Sequence, residues 1–130
     1  MNRGDIVLVT FPFTNFTSTK VRPAVIISND DMNKTRGDVI VAFISSKIQR
    51  LIKDTDFIME DTASGFSNTG LKQQSLFRMA KIMTLDRSMI SVKIGRVSEE
   101  IKTEIDKRLC KALALYKKMV RIDDQEKLTP

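Results

Sequence analysis

VIVAFIS, residues 39–45, is apolar along nearly its whole length and ends on a serine hydroxyl. Successive side chains in a strand point to opposite faces, so a strand of this composition needs cover above and below. It therefore belongs in the middle of a sheet. SLFRMAKIM, residues 75–83, has the same two-faced character and reads as a second such strand. Around this pair the chain supplies shorter apolar runs: IVLVTF at 6–11, PAVIIS at 23–28 and DFIM at 56–59. At 90–95, Ile90, Val92 and Ile94 alternate with Ser91, Lys93 and Gly95, the pattern of a strand with one buried face. Between them, 12–20, 29–38 and 61–70 are rich in Asn, Asp, Thr, Ser and Gly and read as loops, and Thr84-Leu85-Asp86 reads as the end of the fifth strand.

The C-terminal part changes period. Ser98 is a helix cap, with Glu99 and Glu100 suited to the positive first turn. Ile101, Ile105, Leu109, Ala112, Leu113 and Tyr116 follow at helical spacing. Six short strands and one amphipathic helix predict a mainly β (α+β) fold, a small closed or nearly closed barrel carrying the helix. One domain over residues 1–120 and a polar tail over 121–130 are expected. A small barrel has a single interior, so the second apolar face of 39–45 and 75–83 needs the helix or another subunit. A homodimer is expected on that ground.

Composition narrows the chemistry. The chain has 130 residues, 22 Lys and Arg against 16 Asp and Glu, a net charge of +6, no histidine and one cysteine. Without histidine there is no Ser-His-Asp triad, no Cys-His pair and no His/Cys zinc site. No P-loop or Gly-x-Gly-x-x-Gly occurs. The acidic pairs Asp30-Asp31, Asp54-Asp56 and Glu60-Asp61 lie in turn-like stretches and have no metal-ligand spacing. No cofactor is expected. No apolar run reaches the ~20 residues of a membrane span, and no secretory signal is visible. A cytoplasmic protein without membrane attachment is expected, and a basic surface suits a polyanion or an acidic partner.

KVRPAVIIS, residues 20–28, sets Arg22 directly before Pro23. Proline cannot donate to a ladder, and it biases the residue before it towards an extended backbone. Arg22 is therefore expected at the rim of the sheet, with its guanidinium free for a ligand.

These residues carry a resemblance. RGDIVLVTFPFT (3–14), KVRPAVIIS (20–28), FISSK (43–47) and TLDRS (84–88), in that order, resemble the MazF/PemK toxin family, most closely its PemK-like branch. The resemblance covers about residues 3–115. It implies an SH3-like barrel with a C-terminal helix, a homodimer, and a sequence-selective, metal-independent endoribonuclease. It also implies silencing by a cognate antitoxin with an acidic, partly disordered segment. The family's catalytic arginine corresponds to Arg22 and its strand-end hydroxyl, more often threonine, to Ser45. The implied surface for single-stranded RNA comprises Thr14, Asn15, Phe16 and Lys20 in the first loop, Ser46 and Lys47 after the third strand, and Ser75, Arg78 and Lys81 on the fifth. Where some relatives have a base-reading Glu-Gln pair, this chain has Ala80 and Lys81, so base preference does not carry over. Phe13 and Phe16 either stack on bases or fold back onto the barrel.

RNA cleavage of this kind begins with attack of a 2′-oxygen on the adjacent phosphorus. The planar fork of Arg22 suits two phosphate oxygens, and Ser45 can donate a further hydrogen bond. Arginine is a poor base, which leaves hydroxide, water or a carboxylate such as Asp86 to accept the 2′ proton. The alternative is a non-catalytic binding module of the same fold, as in a related toxin family that binds DNA gyrase. A degenerate member that only titrates an antitoxin is a third reading.

Overall fold

The computed structural model describes residues 1–12 and 19–115. Six antiparallel strands form one sheet: β1 (Asp5–Pro12), β2 (Thr19–Ile26), β3 (Asp38–Ser45), β4 (Asp56–Met59), β5 (Ser75–Asp86) and β6 (Ile90–Arg96). Their order is β4-β5-β3-β2-β1-β6. Two helices, α1 (Asp30–Thr35) and α2 (Glu99–Ala112), and three 3-10 turns complete the described chain. β3 lies inside the sheet, as its two apolar faces require. The edges β4 and β6 do not pair with each other, so the barrel is not closed.

Strand alternation divides the buried residues into two cores. Ile6, Val25, Ala42 and Ile44 face one side with Phe57, Phe77 and Met79, and Ile105 of α2 packs onto them. Ile101 and Leu109 extend that contact along the helix. The Ser98 hydroxyl accepts the Ile101 N–H at 3.3 Å and starts α2 as expected. Arg3 pins the same helix, donating to Asp106 at 2.7 Å and to the Ile27 carbonyl at 2.9 Å. Val7, Val9, Ala24, Ile26, Val39 and Val41 face the other side. There the chain covers itself: Leu85 at the end of β5 is buried, and Met89 and Ile90 turn back over the core as the chain crosses to the far edge. Both apolar faces are thus covered within one chain, which removes the ground on which a second subunit was expected from packing.

Several boundaries differ from the sequence reading. β2 starts at Thr19, so Arg22 lies within a strand and not at its entry. Residues 29–38 contain the six-residue α1, capped by Asn29, whose side chain accepts the Met32 N–H at 2.7 Å. β5 runs through Thr84-Leu85-Asp86 because Leu85 fills the second core. Val92 is 49% exposed, since β6 is an edge strand that only its flanks shield. Leu113 is the C-cap of α2 and is exposed. Tyr116 and the tail at 121–130 lie outside the described residues.

Candidate RNA-cleavage site

The inward face that buries the second core also positions the site. On β2, Ile26 and Ala24 belong to that core, and Arg22 is the next residue of the same parity. On β3, Val39 and Val41 lead in the same way to Phe43 and Ser45, and on β1, Val7 and Val9 lead to Phe11. The β2–β3 ladder ends at the pair Ala24↔Phe43. Pro23, which has no N–H to give, is the first residue past that pair. Arg22 and Ser45 each lie two positions beyond Ala24 and Phe43, at the point where the strands separate.

Separation of the strands opens two clefts that share a wall of Arg22, Ile44 and Ser45. The larger, about 410 Å³, is walled by the 70–75 segment with Gly70, Lys72, Gln73 and Ser75, and by Ser46. The smaller, about 230 Å³, is lined by Phe11, Phe43, Arg50, Arg78 and Lys81. Phe11 and Phe43 form a tilted ring pair with centroids 5.8 Å apart. Five cations line the two clefts (Arg22, Arg50, Lys72, Arg78 and Lys81), with no carboxylate among the lining residues.

Partners within the site are few. The Ser45 Oγ accepts the Lys47 N–H at 3.0 Å. This is a strand-end hydroxyl bonded to its own backbone, yet the bond uses the oxygen and leaves the hydroxyl hydrogen to donate. Arg22, Arg50, Lys72 and Lys81 have no ion-pair partner among the described residues. Arg78 both lines the cleft and meets Asp56, Nε to Oδ2 at 3.8 Å, so its charge is partly answered from behind. The Ser75 hydroxyl is committed to the Gln73 carbonyl at 2.8 Å and shapes the wall.

A bulge in β5 sets the smaller cleft. Ala42 pairs with Ile82, but Phe43 pairs with Arg78, so residues 79–81 are unpaired against β3. A bulge re-aims the side chains it carries. Here it lets Lys81 join Arg78 on one cleft, although the two have opposite parity in a regular strand.

Arg22, Ser45, Ser46, Ser75, Arg78 and Lys81 are therefore brought together. Lys20 and Lys47 are exposed and line neither cleft. Thr14, Asn15 and Phe16, and Phe13 beside them, lie outside the described residues. Asp86, a candidate proton acceptor, sits at the opposite end of β3, paired with Asp38. Its carboxylate accepts the Ser88 N–H at 2.8 Å, and hydrogen bonds from Ser88 hold its pKa below the usual carboxylate range. It caps a turn and does not reach the clefts. Sequence reading missed Arg50 and Lys72, each alone in a loop with no pattern to mark it.

Comparison with known proteins adds a family. The profile of the PemK-like, MazF-like toxin of type II toxin–antitoxin systems matches residues 2–113. Endoribonuclease MazF of Staphylococcus saprophyticus subsp. saprophyticus is 30% identical over 117 residues, covering 89% of this chain and 93% of that protein. Endoribonuclease EndoA of Bacillus subtilis is 28% identical over 116 residues, covering 88% and 96%. Among solved structures, a MazE–MazF complex from Deinococcus radiodurans superposes with a TM-score of 0.69 at 18% identity, covering 88% and 96% of the two chains. A mycobacterial endoribonuclease in complex with its cognate antitoxin gives 0.68 at 20% identity, with the same coverage.

Proposed function

The chain belongs to the PemK-like, MazF-like toxin family of type II toxin–antitoxin systems, and from that premise we propose how its clefts carry out endoribonuclease chemistry. The substrate is single-stranded RNA laid across the wall that the two clefts share. The 2′-oxygen attacks the adjacent phosphorus, the new O2′–P bond forms, and the P–O5′ bond breaks. The 2′ proton passes to solvent and another reaches the departing 5′-oxygen. The products are a 2′,3′-cyclic phosphate and a 5′-hydroxyl.

Arg22 supplies two N–H groups to the non-bridging oxygens as negative charge builds on phosphorus. Ser45, its oxygen held by the Lys47 N–H, donates its hydrogen to one of the same oxygens. The nucleophile belongs to the substrate, and guanidinium and hydroxyl stabilise the charge, so the reaction proceeds without added metal. What supports this reading is a single arrangement: Arg22 and Ser45 on one wall, free of carboxylates, where a ladder ends.

Family membership also supports a homodimer and an antitoxin partner. One solved neighbour is an endoribonuclease in complex with its cognate antitoxin, and another is a MazE–MazF complex. A peptide with acidic residues suits cations that have no ion-pair partner among the described residues. Light scattering on the purified protein tests the dimer, and a monomer would overturn it.

The test of the activity is cleavage of a long RNA in EDTA by the native protein and by Arg22→Ala, with the new 5′ ends mapped. Discrete cuts that vanish in the variant are expected. A substrate with a 2′-deoxy sugar at the cut site should resist, and equal cutting of it would refute attack by the 2′-oxygen.

A further inference from the structure

The two clefts flank one phosphate-binding wall, so a strand whose scissile phosphate sits at Arg22 puts a neighbouring nucleotide into each. Their linings differ in kind. The larger cleft offers Gln73 and Ser46, which both donate and accept hydrogen bonds. The smaller has an aromatic wall, Phe11 and Phe43, and cationic donors. Its side-chain oxygen, Ser45 Oγ, already takes the Lys47 N–H. Arg78 has the Asp56 carboxylate at 3.8 Å from its Nε, which leaves Arg50 and Lys81 as the cleft's donors, beside Arg22 on the phosphate, with no carboxylate partner among the described residues.

We infer that the smaller cleft is a specificity subsite for a keto nucleobase, uracil or guanine, beside the scissile phosphate. The inference rests on the reading of Arg22 and Ser45 as the cleavage centre. Aromatic side chains give a base a face to stack on whatever its identity. The edge then decides. Uracil and guanine present carbonyl oxygens, and guanine adds N7, all acceptors for Lys or Arg. Cytosine and adenine present an amino group at the same place, and a donor facing donors leaves both unpaired. A bare phosphate would use the cations but not the rings, which is why a base is the better occupant. Lys81 reaches this cleft because residues 79–81 leave the β3 ladder, so the selectivity is built by the bulge.

Matched oligonucleotides test this, identical except at the two positions flanking the cut, with U against C and G against A. Each pair keeps the ring size and exchanges a carbonyl for an amino group. At one flanking position, the keto base should be cut about tenfold faster or more. The arms also show whether uracil or guanine is preferred. In Lys81→Met and Arg50→Met that ratio should fall towards one, with the melting temperature of each variant confirming a folded protein. If Arg22-dependent cutting occurs with ratios near one at both positions, the subsite is wrong and the cleavage centre stands. If the variants slow U and C equally, the cleft holds phosphate and the inference fails. If the native protein, shown to be folded, cuts nothing, the cleavage reading fails, and the subsite with it.

Discussion

At the residue scale, the site depends on which atom of each group is already spent. Ser45 gives its oxygen to the Lys47 N–H and keeps its hydrogen. Ser45→Ala should therefore lower single-turnover cleavage about 10²–10³-fold, the usual loss for one donor to a developing oxyanion. The melting temperature should hardly move, because Lys47 is exposed and water can replace the lost acceptor. Ser45→Thr restores a hydroxyl at the same atom and should recover most of the rate. Equal rates for serine and alanine would remove Ser45 from the chemistry. At Arg22 the fork matters as well as the charge. Arg22→Lys keeps one positive charge but loses the paired N–H groups, so its rate should fall between the native protein and Arg22→Ala. The place of Arg22 on the clefts was legible because Pro23 follows it inside an apolar run and the four motifs of the resemblance stand in order around it. Arg50 was not, since its role depends on the Ile48–Arg50 turn meeting the end of β3 in space.

At the element scale, the wall of the larger cleft is held by backbone against backbone. The Phe66–Thr69 turn lies so close to β6 that a Cβ on Gly95 would sit 2.3 Å from the Asn68 carbonyl oxygen. At Gly70, where φ is +74°, a Cβ would sit 2.1 Å from the Ile94 oxygen. Gly95→Ala must push the turn off β6 and with it the segment carrying Lys72 and Gln73. A loss of about 2 kcal/mol or more in denaturant unfolding is expected, together with slower cleavage. Gly37→Ala is the control, because nothing lies within 4 Å of its Cβ position. Asp86 belongs to this scale too. Its folded pKa is lowered by Ser88, so its contribution to stability is complete above the ordinary carboxylate pKa and is lost as pH falls through the lowered value. The stability gap between the native protein and Asp86→Ala should therefore shrink in acid, while the pH profile of cleavage stays unchanged. A changed profile would return Asp86 to the reaction. Most strands and α2 were legible because alternation and helical spacing persist over many residues. α1 was not: a six-residue helix is too short for an apolar stripe, and its Asn and Asp residues are also those of turns. The β5 bulge left no trace either, because SLFRMAKIM reads as an unbroken strand until its partner is known.

At the scale of the whole molecule, the excess of positive charge is distributed unevenly. Six described ion pairs occupy Arg3, Arg78, Lys93, Lys102, Arg108 and Lys111. Apart from Arg78, those cations line neither of the two clefts; two of the pairs, Arg3–Asp106 and Lys111–Asp54, join α2 to the body, and two more, Lys102–Glu99 and Arg108–Glu104, lie within α2. Arg22, Arg50, Lys72 and Lys81 remain without carboxylates on the clefts. A net charge of +6 could have been read as a merely soluble surface, but four of the cations without an ion pair among the described residues line one strip from which carboxylates are absent. Low-dielectric walls focus such a field and draw a polyanion to it. Binding of single-stranded RNA should then release counterions, with a slope of log K against log salt of about −0.7 for each phosphate neutralised. Contacts to two to four phosphates predict a slope of about −1.4 to −2.8. The measurement uses an RNA blocked by one 2′-deoxy sugar at the cut site, so that binding is read without cleavage. Lys72→Gln should flatten the slope by roughly one phosphate and weaken all sequences alike, since a lysine on phosphate reads no base. Lys53→Gln, on a surface away from both clefts, should leave it unchanged. A slope near zero for the native protein would mean that the strip is not where RNA lies. A slope lowered equally by both variants would mean that general surface charge attracts the RNA, with no contribution particular to the clefts.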